Sequence, residues 1–228
     1  RSFDQAMGIA VAPNRIAIAS KFQVWTLRNS PSVAKRLNES EDHSSERPYD
    51  ACYLPRTSNV TGNIDTHEMA WGAGEDELWI VNTSFSCLCT LDDPRFSFVP
   101  RWRPPFVSEI SRGDRCHLNG LAMENGRPRY VTCFGQTDTK EGWRENKLEG
   151  GCIVDVPSGE VIATGLSMPH SPRLHNGQLW VLDSGRGRLL TVDVESGSTE
   201  TVVELPGYTR GLTFAGRYAL IGLSKIRE

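Results

Sequence analysis

The chain has 228 residues, 25 basic and 28 acidic, for a formal net charge of −3; that near balance, without a basic run, excludes nucleic acid as a partner on electrostatic grounds. Mean hydropathy is −0.38 and no apolar run approaches the ~18 residues that span a bilayer. A soluble, non-membrane protein is therefore expected, one domain over residues 1–228, cytoplasmic because no basic-then-apolar leader opens the chain, although Arg1 is not an initiator Met.

Strand-like alternation begins at Gly8–Val11, Arg15–Ser20 and Gln23–Leu27. Residues 29–46 (NSPSVAKRLNESEDHSSE) are polar, charged and Ser-rich, and read as an exposed loop. Thr66–Trp71 (THEMAW) then leads into the apolar run Leu78–Asn82 (LWIVN), followed by Cys87-Leu88-Cys89 with both thiols on one strand face. The six cysteines are diluted over the chain and form no Cys-x-x-Cys pair, so reduced, packed thiols are expected rather than a disulfide scaffold or a zinc ribbon. Asp92–Arg115, rich in Pro, Arg and aromatics, is costly to leave solvated and should pack over a face of the domain.

Leu118–Met123 (LNGLAM) leads to Arg129–Cys133 (RYVTC), and Gln136–Lys147 is a shorter excursion. Gly151–Val156, the turn Pro157-Ser158-Gly159 and Glu160–Thr164 form a hairpin. Pro169–Leu174 (PHSPRL) leads to Leu179–Asp183 (LWVLD), and a second such hairpin spans residues 189–205. Thr209–Phe214 (TRGLTF) leads to Tyr218–Gly222 (YALIG), after which the chain stops before a hairpin can follow. A fragment of a longer protein, or a ring completed by other segments, is the expectation.

Laid on one register, the second position of each repeat reads His67, Asn119, His170 and Arg210, at spacings of 52, 51 and 40 residues. A strand-rich repeat of that period predicts an all-β antiparallel β-propeller, with about five blades visible in a six-bladed ring. Inner-strand starts surround the central tunnel, so these four residues should form one column. His117, two residues before Asn119, joins it if side chains alternate.

Three imidazoles from three blades make a competent ligand set for Zn, Fe, Cu or Ni, with His67, His117 and His170 as the metal ligands. Glu68 is then a candidate acid/base, alongside Asp65 and Asp183 as carboxylates. Asn119, Arg173 and Arg210 would orient a small anionic or carbonyl-bearing ligand or a peptide, Arg210 also serving catalysis. The competing reading is a wet polar tunnel whose residues satisfy one another. Asn82-Thr83, Thr132-Cys133 and Asp183-Ser184, at the far ends of the second strands, read as turn caps. No Gly-x-Ser-x-Gly supports serine hydrolysis, and Ser184–Arg188 lacks the ending of a phosphate loop. A non-catalytic module remains the alternative, binding a protein or peptide through Trp71, Trp102 and Trp143.

His117–Met123 (HLNGLAM) with Tyr130–Thr132, and Pro169-His170 with Leu179–Ser184 (LWVLDS), resemble the blade signature of gluconolactonase and strictosidine-synthase-like six-bladed propellers. RCHLNGLA (115–122), GLSMPHSPR (165–173), LPGYTRGL (205–212) and GLSKIRE (222–228) are more specifically similar to a bacterial propeller-like family of unknown function. The lactonase-type resemblance implies a calcium ligand at Asn119. His67 and His170 stand where those proteins use Asn or acidic ligands, which disfavours calcium and points to a borderline transition metal. The function expected is a metal-assisted enzyme acting on a small molecule or peptide at the tunnel mouth.

Overall fold

The computed structural model describes residues 3–40 and 47–225, and within them the chain is a β-propeller of five antiparallel sheets. Blade 1 comprises β1 (Ile9–Ala12), β2 (Arg15–Ala19), β3 (Gln23–Asn29) and β4 (Tyr53–Val60). Blade 2 comprises β5 (Thr66–Trp71), β6 (Leu78–Asn82), β7 (Cys87–Thr90) and β8 (Val99–Trp102). Blade 3 comprises β9 (Leu118–Glu124), β10 (Arg127–Cys133), β11 (Gly151–Asp155) and β12 (Val161–Leu166). Blade 4 comprises β13 (Pro169–His175), β14 (Gln178–Asp183), β15 (Arg188–Val192) and β16 (Thr199–Glu204). Blade 5 is the pair β17 (Tyr208–Ala215) and β18 (Tyr218–Ser224). Among the described residues no helix is long and apolar enough to cross a membrane.

Each blade is an up-and-down meander, and the innermost strands β1, β5, β9, β13 and β17 touch one another in series. The second strands read as unbroken apolar runs because both faces of their sheets are covered. In β6, Leu78 and Ile80 pack with Ala17, Ala19 and Val24 of blade 1, whereas Trp79 and Val81 pack with Leu118, Val131 and Val154 of blade 3. Blades 3 and 4 meet through Ala122, Tyr130, Ile153, Leu179 and Val181, and blades 4 and 5 through Leu182, Leu189 and Leu212. Burying one such Leu, Ile or Val side chain is worth about 1.5–3 kcal/mol, so the core is a series of inter-blade layers. β18 carries the same apolar pattern, yet Tyr218 and Leu220 are 64 % and 56 % exposed because no further sheet covers that face among the described residues.

Two segments differ from the sequence expectation. The loop expected over residues 29–46 contains the helix α1 (Pro31–Asn38), started by Pro31 at its first position and buried on Ala34. Residues 41–46 of that expected loop lie outside the described residues. Asp92–Arg115 does pack over a face, through Trp102, Phe106 and Val107, but it also supplies β8, the fourth strand of blade 2. The cysteines are free thiols; Cys87 and Cys89 share one inter-blade layer, and Cys116, Cys133 and Cys152 another, where burial pushes the Cys133 thiol well up.

One ion pair ties four blades. Glu68 of β5 pairs with Arg173 of β13 and accepts the Leu121 N–H of β9 at 2.9 Å. Arg173 also donates to the Leu121 carbonyl at 3.2 Å and, through Nε, to the Leu212 carbonyl of β17 at 2.9 Å. Side-chain exposures are 13 % and 30 %, so removing one partner strands a largely buried charge. Gly120 makes the neighbouring approach of β9 to β13 feasible, since a Cβ there would lie 2.3 Å from Thr132 Oγ1 and 2.4 Å from Pro172 Cδ. Glu68→Ala and Arg173→Ala should each lower urea stability by about 2–4 kcal/mol, and the double variant should lose clearly less than the sum. Additive losses would show that the two residues act independently.

Candidate functional site

At the mouth of the tunnel lies a cleft of about 970 Å³ whose lining includes His67, His117, His170, Arg210, Phe134 and Trp143, within the usual size of ligand pockets. The way the inner strands enter the ring explains why these side chains meet. Asp65, His117 and Met168, at equivalent places just before or at the strand start, adopt left-handed backbones with φ of 52°, 50° and 47°, an uncommon state for residues with a Cβ. A one-residue bulge follows in the inner strand of blades 2 to 5: between Thr66 and Met69, at Asn119, between His170 and Arg173, and at Gly211. Bulges re-aim side chains, and here they break the simple alternation.

In blades 2 and 4 the left-handed residue turns its carbonyl back to the histidine two positions on. His67 Nδ1 lies 3.2 Å from the Asp65 carbonyl and 2.9 Å from Thr83 Oγ1. His170 Nδ1 lies 3.0 Å from both the Met168 carbonyl and Ser184 Oγ. A carbonyl only accepts, so each Nδ1 carries the proton and donates, leaving the lone pair on Nε2. The Thr83 hydroxyl donates to the Leu118 carbonyl at 2.6 Å, consistent with accepting from His67. Burial and the nearby His117 lower His67 to about 4, against a weaker upward pull from Asp65. Burial, then Arg210 and the other two imidazoles, hold His170 well below its ordinary value. Both are neutral at pH 7.

Blade 3 departs from this pattern. His117 itself occupies the left-handed position, so its ring enters the cleft edge-to-face with His67, centroids 4.8 Å apart. Phe134 and Trp143 pack on it at 4.3 and 4.4 Å, and Phe134 separates it from His170, 5.2 Å away on the other side. His117 Nδ1 is 2.8 Å from Asp114 Oδ2, which also accepts the Trp143 indole N–H at 3.1 Å. Asp114 Oδ1 is buried without a partner. Burial raises this carboxyl to about 7, against the downward pull of the Trp143 bond.

Of the residues expected at the mouth, His67, His117, His170 and Arg210 line the cleft. Arg210 Nη2 reaches Met7 Sδ, 3.5 Å away across the mouth. Asn119 does not join them: as the bulged residue it turns under the lining, 2 % exposed, with Oδ1 accepting from Thr132 at 2.6 Å. Glu68 and Arg173 do not join them either, because each is committed to the other and to backbone groups of neighbouring blades. Among the described residues no three His, Cys, Asp or Glu side chains stand as a ready metal-ligand group.

The second-strand ends do more than cap turns: Thr83, Thr132 and Ser184 are the partners of His67, Asn119 and His170. The pairings Thr66–Asn82 and Pro169–Asp183 place that end beside the inner-strand start, a relation readable from antiparallel register. Asp114 was not anticipated, and its one signal is its place three residues before His117. The tryptophans are not exposed anchors: Trp143 is 6 % exposed, Trp102 packs on a core layer, and the Arg15 guanidinium lies 4.0 Å over Trp71.

A histidine whose folded pKa lies below the unfolded value leaves stability intact above about 6.5 and removes it as pH falls. From 6.5 to about 4, His67 alone accounts for on the order of 3 kcal/mol. Asp114, raised from 3.8 to about 7, acts oppositely, its contribution being lost as pH rises through that window. His67→Asn keeps an N–H donor for the Asp65 carbonyl but cannot take up the proton. Between pH 7.5 and 5 the wild type should lose clearly more urea stability than this variant. Equal losses would mean that His67 is not held neutral.

Comparison with solved structures supports the propeller fold. A chain from a nidogen–laminin complex is similar at a TM-score of 0.58 and 10 % identity, over 95 % of this chain and 71 % of that one. Two AztD chains from Citrobacter koseri, one of them apo, are 13 % and 15 % identical, with TM-scores of 0.39. They cover 96 % and 99 % of this chain, which spans about half of their length, 51 % and 52 %. No protein of curated function matches the sequence. Residues 1–228 match the family described as "Domain of unknown function (DUF4915)", and the chain belongs to that family.

Proposed function

We propose that the cleft is the active site of an enzyme acting on a small molecule, with the Asp114–His117 pair as its acid/base. The observation that carries this reading is a carboxyl poised at about 7, bonded at 2.8 Å to an imidazole in a cleft of about 970 Å³. A group whose pKa lies near the working pH transfers protons most effectively. Asp114 orients His117 and balances the charge when the ring takes a proton from the ligand. Phe134, Trp143 and Tyr208 give the ligand an apolar wall, and the neutral His67 and His170 offer polar nitrogens without a competing positive charge. Glu68, bound in its inter-blade pair, has no part in this step.

A second reading, metal assistance, is favoured by one observation. The Nδ1 atoms of His67, His117 and His170 meet a carbonyl, a carboxylate and a carbonyl. Metal-bound imidazoles are commonly oriented through such contacts. Three imidazoles suit Zn, Fe, Cu or Ni rather than calcium. The rings as they stand are not a closed ligand group, so binding requires them to turn around the ion. Titration with Co²⁺ should then give a one-to-one visible spectrum that His67→Ala removes; no stoichiometric spectrum rejects this reading.

The acid/base proposal is tested by screening small carboxylates and phosphate esters through Trp143 fluorescence and following each binder by NMR for turnover. Asp114→Asn and His117→Gln should retain binding and lose about 10²–10⁴-fold in kcat. Because the ionised pair is the base, kcat/KM should rise with pH through about 7. Ligands that bind but are never turned over would reject catalysis and leave recognition as the function.

A further inference from the structure

Most arginines of this chain end on a carboxylate: Arg15 on Asp76, Arg101 on Asp92, Arg129 on Asp155 and Arg186 on Asp183. Arg112, Lys140 and Lys147 do not; all three line the cleft, and among the described residues none has an ion pair or side-chain hydrogen bond, although Lys140 is near enough to Glu141 to lower its pKa. Arg112 comes from the β8–β9 connection, and both lysines from the β10–β11 connection.

These two connections are stitched into one rim. Glu141 N–H donates to the Gly113 carbonyl at 3.0 Å, and Gly113 and Asp114 N–H groups donate to the Ser84 carbonyl at 2.9 and 3.1 Å. Arg115 pairs with both Glu109 and Asp138, and Asp138 accepts the Ser108 N–H at 2.9 Å. The backbone that carries Arg112 and Lys140 is therefore fixed before any ligand arrives, which lowers the ordering cost of binding, and the Ser167 hydroxyl donates to the Lys147 carbonyl at 3.4 Å.

The remaining charges in the lining do not cancel them. Glu141 is paired with Arg144, the guanidinium of which stacks 4.4 Å from the Trp143 ring. Asp65 lies beside His67, Asp114 is bonded to His117 and Trp143, and Arg210 adds another cation. Arg112, Lys140, Arg144, Lys147 and Arg210 outnumber Asp65, Asp114 and Glu141 in the lining, so the cleft is positive on a chain that is −3 overall. A concave site of one sign focuses the field and draws ligands of the other. One carboxylate needs one cation, whereas three unpaired cations on one rim match a group carrying two charges. Trp143, Phe134 and His117 line the same cleft, packed on one another with centroids 4.3–5.3 Å apart.

We infer that the ligand of this cleft is a phosphate monoester with a planar or unsaturated body, its phosphate held by Arg112, Lys140 and Lys147 and its body laid on the Trp143–Phe134–His117 wall. This deepens the proposed function and rests on the same cleft being the ligand site. Two lysine ammoniums and one guanidinium provide charge and hydrogen-bond donors to phosphate oxygens.

Phenyl phosphate, inorganic phosphate, benzoate and phenol serve as probes, with affinity read by calorimetry and Trp143 quenching at 50 and 200 mM salt. Phenyl phosphate should bind at least about tenfold tighter than benzoate or phenol, and more tightly than inorganic phosphate. Lys140→Ala with Lys147→Ala, and separately Arg112→Ala, should each weaken phenyl phosphate about tenfold or more and flatten its salt dependence. Lys35→Ala, on α1, should change nothing. Equal affinity for phenyl phosphate and phenol, or phosphate binding untouched by the rim substitutions, overturns the inference. The outcome separates from the acid/base proposal, because Asp114→Asn, which leaves the rim cations and the aromatic wall in place, should retain phenyl phosphate binding whether or not it abolishes turnover.

Discussion

The Glu68–Arg173 pair is the contact on which the geometry of the rest depends. Four inner strands from blades 2 to 5 meet its hydrogen bonds, and three of those blades supply the imidazoles of the cleft. Partly buried ion pairs add little net stability over an apolar replacement. Their value here is positional: the bidentate reach of Arg173 to Leu121 and Leu212 sets how far apart β9 and β17 stand. The layers of Leu, Val and Ile between blades provide the larger driving force but are less directional. Apolar packing holds the ring together, and the ion pair fixes its bore.

Above that bore the site is built from unusual backbone states. Asp65, His117 and Met168 all take the left-handed conformation at a strand start, and such strain persists where the surroundings over-determine it. In blades 2 and 4 its product is a carbonyl aimed at an imidazole; in blade 3 it is an imidazole aimed into the cleft. The same local device thus yields two neutral histidines and one that pairs with a carboxyl. Around them the rings of Phe134, Trp143 and Tyr208 exclude water, which accounts for the displaced acidities of His67, His170 and Asp114.

The propeller was legible because strand rhythm and repeat period survive in one dimension. The column was legible in part. His67, His170 and Arg210 reach the cleft as their register implies, and His117 reaches it too, though by its left-handed backbone and not by alternation. Asn119 fails because a bulge adds one residue to β9 at that point, and a bulge leaves no mark in the hydrophobic pattern. Glu68 and Arg173 read as site residues since charge at an inner strand is visible and its partner across the ring is not. Helix α1 was hidden by polar residues on a short, barely buried segment. The roles of Thr83 and Ser184 follow from antiparallel register, so they were recoverable; the acidity of Asp114 depends on its burial in the folded cleft, and was not.

Thr83 has a wider consequence. Its hydroxyl hydrogen goes to the Leu118 carbonyl of blade 3, while its oxygen receives the Nδ1 proton of His67 in blade 2. The Asp65 carbonyl sets the imidazole's tautomer, and the Thr83 bond ties the ring's second acceptor to the spacing of two blades. If a ligand wedges them apart by a fraction of an ångström, the hydroxyl must let go of one neighbour, and His67 either keeps it as an acceptor or is left with the Asp65 carbonyl alone. The seam between blades 2 and 3 is in this sense a mechanical input to the chemistry of the cleft, with a single hydroxyl as its lever.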